Sequence, residues 1–321
     1  MSDRRPMPRA DAIEDLVVAQ MRADVRAARR GSRFRPPAWS ILATAAAASV
    51  AIIAVTVSLV MTPAPSFAAT PPMLEISQTE TTDAASLLAS MSEELRASDA
   101  SAPDASPDQP QHIDVQTWGL VTTVGEDGEE VLPPYVAPEN NAITRYPDGS
   151  WSQVVTAGTP YDTQGDPVVD PTLPAPGTEL WRADEKAGEH YYMYPSPIPE
   201  DGAELAQVMR DIGFADETSP NEWLSLVNVL LMEQVLSPAE EAAVLDVLAT
   251  LDLELAGTTT DRLGREAYVF ETPPSDVDLV DRVLISPSGH ILAMETVYVG
   301  DDRTDIPSPA VVSYYAWEGR T

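Results

Sequence analysis

Three histidines, His112, His190 and His290, are the first residues to weigh, because a neutral imidazole can act as a general base or as a metal ligand. None lies on a predicted helix with a second histidine or a carboxylate one turn away, the arrangement that presents two ligands together. His290 follows a Ser288-Gly289 turn and reads as a surface hairpin residue. The run Gly149-Ser150-Trp151-Ser152-Gln153 lacks the second glycine of a nucleophile elbow and sits in a predicted hairpin. Lys186, the single lysine, has no glycine frame, so a phosphate loop is excluded. The acids Glu126, Asp127, Glu129 and Glu130 lack the ligand spacing of a calcium loop, as do Asp301, Asp302 and Asp305. There is no cysteine, which excludes disulfides and thiolate metal sites. The expectation is therefore a protein without catalytic residues, metal or cofactor, and not an enzyme.

The aromatics carry a different kind of chemistry. Trp118, Trp151, Tyr192, Tyr315 and Trp317 fall on predicted strands, and on a curved sheet they would line an apolar ligand groove. Packing into the core is the competing account of the same residues.

The net charge of −32 is unevenly spread along the 321 residues. Residues 1–38 hold nine Arg against five acids, and residues 39–61 hold no charge at all. The rest holds 46 acids against 10 bases, which makes nucleic acid an unfavourable partner. The uncharged run of 23 residues would span about 34 Å as a helix, enough for a hydrocarbon core of about 30 Å. Arg29, Arg30, Arg33 and Arg35 precede it, so the positive-inside rule predicts a cytoplasmic N-terminus and an extracytoplasmic C-terminal domain. The alternative is a signal peptide cut after Ala68, where Ser66 and Ala68 stand at −3 and −1.

Before that run, residues 11–30 read as an amphipathic helix. Ile13, Leu16, Val17, Met21 and Val25 share one stripe, which would meet either lipid headgroups or a cytoplasmic partner. After it, the pattern divides the chain into a spacer, short helix and linker over 62–110 and an acidic α+β ectodomain over 111–321. Helices are expected at about 82–97, 201–212, 223–236 and 238–250. The last two open with Ser219-Pro220-Asn221-Glu222 and Ser237-Pro238-Ala239-Glu240, both capping boxes with proline at the first helical position. Period-2 alternation predicts strands at 113–121, 142–146, 150–156, 191–194, 252–256, 266–271, 280–286, 291–299 and 310–317, with residues 157–179 as loop. Asp148-Gly149, Leu263-Gly264 and Ser288-Gly289 supply hairpin turns.

The fold class expected from this order is α+β: one transmembrane helix plus a curved antiparallel sheet packed on helices. From about residue 84 onward the chain resembles a family of high-GC bacterial single-pass membrane proteins, known by a locus-tag name and often encoded beside extracytoplasmic-function sigma factors. The resemblance rests on Leu236-Ser-Pro-Ala-Glu-Glu-Ala-Ala-Val-Leu-Asp-Val-Leu-Ala, on Asp261-Arg-Leu-Gly264-Arg265 and on Ile285-Ser-Pro-Ser-Gly289-His-Ile-Leu292. The chain departs from the family at Glu241, where a basic residue is usual, and at Leu251-Asp252-Leu253, where Pro-Gly-Val is usual. The resemblance implies an open half-barrel similar to periplasmic lipoprotein carriers. It implies one of two roles: a membrane-anchored extracytoplasmic sensor or regulatory binding protein linked to a sigma factor, or an envelope lipid- or lipoprotein-binding module without a signalling role. The partners expected are accordingly the membrane, a cytoplasmic regulatory protein and an apolar ligand.

Overall fold

The computed structural model describes residues 68–79, 83–99, 109–120, 123–124, 130–131, 133–212 and 219–320. Nine strands form one antiparallel sheet: β1 (Gln111–Gly119), β4 (Glu139–Arg145), β5 (Trp151–Ala157), β6 (Glu179–Glu185), β7 (Glu254–Thr260), β8 (Glu266–Glu271), β9 (Leu279–Ile285), β10 (Ile291–Tyr298) and β11 (Ala310–Arg320). β2 (Thr123–Val124) and β3 (Glu130–Val131) pair separately. The spatial order is β6-β5-β4-β1-β11-β10-β9-β8-β7, two meanders of sequence neighbours joined where β1 lies between β4 and β11. The turns are short because their residues suit them. Gly149, Gly264 and Gly289 all take positive φ, and Gly289 also presses against Leu95, where a side chain would not fit.

Four helices stand among the described residues: α1 (Ala84–Asp99), α2 (Gly202–Ile212), α3 (Pro220–Glu233) and α4 (Pro238–Leu248). Both capping boxes form as their sequences demand. Ser219 N–H donates to Glu222 Oε2 at 3.0 Å, and Ser237 N–H donates to Glu240 Oε2 at 2.7 Å. Helix α4 is buried on nearly every side, with Ala242, Ala243, Val244, Leu245, Val247 and Leu248 all out of water between α1, α2 and the sheet. Its buried Glu241 accepts the Ile291 N–H at 2.8 Å and meets His290 Nδ1 at 2.8 Å. A basic residue could not accept from that backbone N–H, so the position requires an acceptor such as this acid.

Strand alternation sends residues to both faces, and both faces are covered. On the helix face, Ile113, Val115, Phe270, Val283, Met294 and Trp317 pack against Leu88, Leu205, Leu224 and Leu245. On the opposite face, Trp118, Val269, Leu284, Ala293 and Tyr314 pack against Ala69, Leu74, Ile76, Val136 and Tyr161. The segment 68–79 thus lies across the sheet as part of the second core.

Two expectations are corrected here. The α+β fold with a transmembrane helix gives way to a mostly β domain, because nine strands join in one continuous sheet with few helices against it. Single-pass localisation in the cell membrane has no support either, since no helix among the described residues is long and apolar enough to cross a membrane. The longest, α1, has 16 residues, or about 24 Å, and carries Glu93, Glu94 and Arg96 on its polar side. The run 39–61, on which that expectation rested, lies outside the described residues. The tyrosine run 191–194 is not a strand. Glu233, at the end of α3, accepts the Met193 N–H at 2.9 Å and the Tyr194 N–H at 3.1 Å, and so takes the bonds a sheet would have used. The actual edge strand, β6, comes instead from residues directly after the predicted loop.

Leu230 is fully buried in the helix-face core. Leu230→Ala should cost about 2–5 kcal/mol in urea unfolding, and a loss below about 1 kcal/mol would show that the site collapses around the gap. Asp281 joins the sheet to α3: its carboxylate accepts Thr296 Oγ1–H at 2.6 Å and Asn221 Nδ2–H at 2.9 Å. Burial is the largest influence on Asp281 and raises it above its ordinary value of 3.8, against the lowering effect of these two bonds. A carboxylate raised by folding stabilises at low pH, and that contribution fades as pH climbs through the folded-state value. The stability of the native chain relative to Asp281→Asn should therefore fall as pH rises above the ordinary carboxylate value of 3.8 in paired urea titrations. A difference that rises with pH instead would show that the hydrogen bonds outweigh burial.

Candidate functional site

A cavity of about 800 Å³ opens on the face of the sheet away from the helices. Its walls come from the extended segment (Pro72, Met73, Leu74, Glu75, Ser77), from β7 (Thr258, Thr259, Thr260) and from β8 (Glu266, Ala267, Tyr268), with Gln116, Tyr161 and Arg262 set among them. Apolar and hydrogen-bonding surfaces thus meet in one open cleft, of the size usual for small-molecule sites.

Arg262 owes its position to the β7–β8 turn. Buried Asp261 accepts the Leu263 N–H at 3.0 Å and the Arg265 N–H at 2.8 Å through Oδ1, and the Arg265 guanidinium at 2.5–2.8 Å through Oδ2. Arg265 reaches on to the carbonyls of Trp317 (2.5 Å) and Leu292 (3.0 Å), which ties the turn to β10 and β11. This is the physical content of the Asp261-Arg-Leu-Gly-Arg265 motif. The intervening Arg262 is left to lie over the Tyr314 ring, 4.8 Å from its centroid.

Beneath it runs a ladder of buried charge across three strands. Glu271 pairs with Arg282 at 2.6 Å, Arg282 stands 4.0 Å from Glu295, and Arg262 Nε meets Glu295 Oε1 at 2.7 Å. The Arg262–Glu295 contact is close but not aligned as a hydrogen bond, so it is charge attraction that holds the two together. The Glu295 side chain is 1% exposed. Burial pushes its carboxyl above the ordinary 4.5, and the two arginines pull it back toward ionisation. Alongside, Tyr314 donates its hydroxyl to Gln116 Oε1 at 3.0 Å, hydrogen-bonds Tyr161 and stacks on Trp118. Burial drives the Tyr314 hydroxyl well above its ordinary value.

The residues singled out as an aromatic groove divide between the two faces. Trp151 and Tyr192 come together around His190. The Trp151 and His190 rings stack at 4.4 Å, and Tyr192 meets His190 edge-on at 4.5 Å. His190 Nδ1 lies 2.8 Å from Glu185 Oε2, and Arg145 covers the Tyr192 ring while donating to Gln234. Tyr315 and Trp317 stack deeper in the helix-face core, their centroids 6.3 Å apart. Trp118 lies on the opposite face. The stripe Ile13, Leu16, Val17, Met21 and Val25 lies outside the described residues, as do Glu126, Asp127 and Glu129. Sequence reading missed the cavity and its charge ladder, because polar residues alternating along a strand are taken to face water. The one available signal was the opposite charge of Arg282 and Glu295 on adjacent strands.

No family model matches the sequence, and no curated protein matches it. Among solved structures, the chain is similar to a LolA superfamily protein from Nitrosomonas europaea, with 12% identity over 75% of this chain and 94% of that one, at a TM-score of 0.14. The dehydratase domain from the CurK module of curacin polyketide synthase matches with 10% identity over 71% and 78% of the two chains, at a TM-score of 0.13. At this level of superposition neither bears on fold or function, and neither touches the sigma-factor link.

Removing Arg262 leaves buried Glu295 with Arg282 alone, 4.0 Å away, so Arg262→Leu should cost up to about 3–5 kcal/mol in urea unfolding. Replacing both members with leucine should recover most of that loss. If the double variant is no more stable than the single one, the pair is held by more than its mutual charge.

Proposed function

We propose that this domain is a lipid- or lipoprotein-binding module, a binder rather than an enzyme, and that it takes an amphiphile into the cavity opposite the helices. The observation that carries this reading is the cavity wall itself. Met73, Leu74 and Ala267 offer an apolar lining, while Gln116, Tyr161 and Arg262 converge as hydrogen-bonding groups. A chain with an apolar tail and a polar head uses both surfaces, and a purely apolar or purely polar ligand would leave one of them unsatisfied. The helix face is filled by its own side chains, so the space for a ligand lies on the other side. Binding also suits the histidines, each held by a separate neighbour: His112 by Thr144, His190 by Glu185 and His290 by Glu241.

Titrating the full-length chain with dansyl-undecanoic acid should give a saturable rise and blue shift of dansyl emission. Gln116→Trp, which places an indole on the strand face that lines the cavity, should weaken binding by about tenfold or more, equivalent to ~1.4 kcal/mol. Saturable binding that is insensitive to Gln116→Trp would place the probe elsewhere, and no binding by the native chain would refute the reading.

A further inference from the structure

The chain's own segment forms one wall of the cavity, and the two ends of that segment are held very differently. Ala68, Ala69 and Thr70 are buried, and their backbone is tied down by Ala68 N–H to the Asp305 carbonyl (2.7 Å) and Ala69 N–H to the Pro133 carbonyl (2.8 Å). Beyond Pro71-Pro72 the side chains are half-buried or exposed. Among the described residues that stretch is held by four hydrogen bonds: the reciprocal pair between Ser77 and Thr258 (2.8 and 2.9 Å), Thr259 Oγ1–H to the Glu75 carbonyl (2.8 Å) and Arg262 Nη2–H to the Pro72 carbonyl (3.1 Å). It crosses β7 at Gly257, whose φ of +142° and missing Cβ let the Ser77 carbonyl lie directly against it; an added methyl would overlap that oxygen. The same stretch supplies Pro72, Met73, Leu74, Glu75 and Ser77 to the cavity wall.

From this we infer that residues 72–79 are a strap that lifts from β7, pivoting at Pro71-Pro72, to admit and release the cavity's ligand. The inference rests on the amphiphile-binding role proposed above. A shallow anchor beside a buried one localises opening: the strap detaches at the cost of a few hydrogen bonds and the partial burial of Leu74 and Ile76, while 68–70 and the sheet stay in place. The Arg262 bond to the Pro72 carbonyl couples the strap to Glu295 and, through it, to the charge ladder.

The chain has no cysteine, so one engineered disulfide can lock the strap without competition. Ser77 and Thr258 exchange both backbone bonds, a pairing that sets Cα atoms about 5.5 Å apart and within disulfide reach. In full-length Ser77→Cys/Thr258→Cys, oxidation should slow both uptake and release of dansyl-undecanoic acid by about tenfold or more, leave the equilibrium affinity nearly unchanged, and be reversed by reductant. Equal rates in the oxidised and reduced forms would overturn the strap and leave the binding role intact. Hydrogen exchange judges the strap without any ligand, and so remains decisive if the probe fails to bind. The Ser77 and Thr258 amides should exchange about a hundredfold or more faster than those of β10, and Gly257→Ala should accelerate them further. Protection of Ser77 equal to that of β10 would overturn the proposal.

Discussion

The pairing of β1 with β11 is the contact on which the other parts of the domain depend. Val115 faces Trp317, and Thr117 faces Tyr315, across some two hundred residues of intervening chain. Closing so long a loop is costly in entropy, and backbone hydrogen bonds alone do not offset it. Here the ladder is reinforced on both faces: Tyr314 bonds Gln116 and stacks with Trp118 on one, and Val115 and Trp317 enter the helix-packed core on the other. Only when β1 is in place do the two meanders become one sheet, with two continuous faces to cover.

Covering both faces explains the unusual placement of charge. Antiparallel sheets commonly leave one face to solvent, where alternating polar residues are harmless. In this domain the extended segment and the loops around Val136 and Tyr161 close over that second face, so Arg282, Glu295 and most of Arg262 are withdrawn from water, with Glu271 at the partly exposed end. Their signs alternate, so each charge is partly neutralised by its neighbour. Arg262, the member of that cluster at the cavity wall, makes with Tyr161 and Gln116 a polar corner beside Met73 and Leu74. The mixed character of the cavity follows from it.

The helix face has a simpler logic. Helix α4 is wrapped by α1, α2 and the sheet, and its single buried acid, Glu241, is matched to the backbone at the start of β10. Arg96 does similar work at the surface, joining α1 to Asp246 of α4 at 2.5 Å. Few charges are buried on this side, and those that are accept defined hydrogen bonds. Most of the large acidic excess stays on the surface.

Short-range features were legible in the residues themselves. The capping boxes at Ser219 and Ser237, the turns at Asp148-Gly149, Leu263-Gly264 and Ser288-Gly289, and strands such as Glu266–Glu271 are settled by groups within a few positions of one another. Their energetics are local, and the sequence states them directly. The rest depended on partners distant in the chain. The tyrosines at 191–194 have strand character, but Glu233 of α3 takes their backbone; alternation makes Glu295 look solvated, but residues 68–79 cover it; Trp118 and Trp317 look alike, yet face opposite cores. By itself the sequence determined the helix starts, the hairpins and the alternation of the strands. Tertiary structure alone decided which face each side chain entered and where a cavity remained, because burial is set by what packs against a surface and not by the residues that make it.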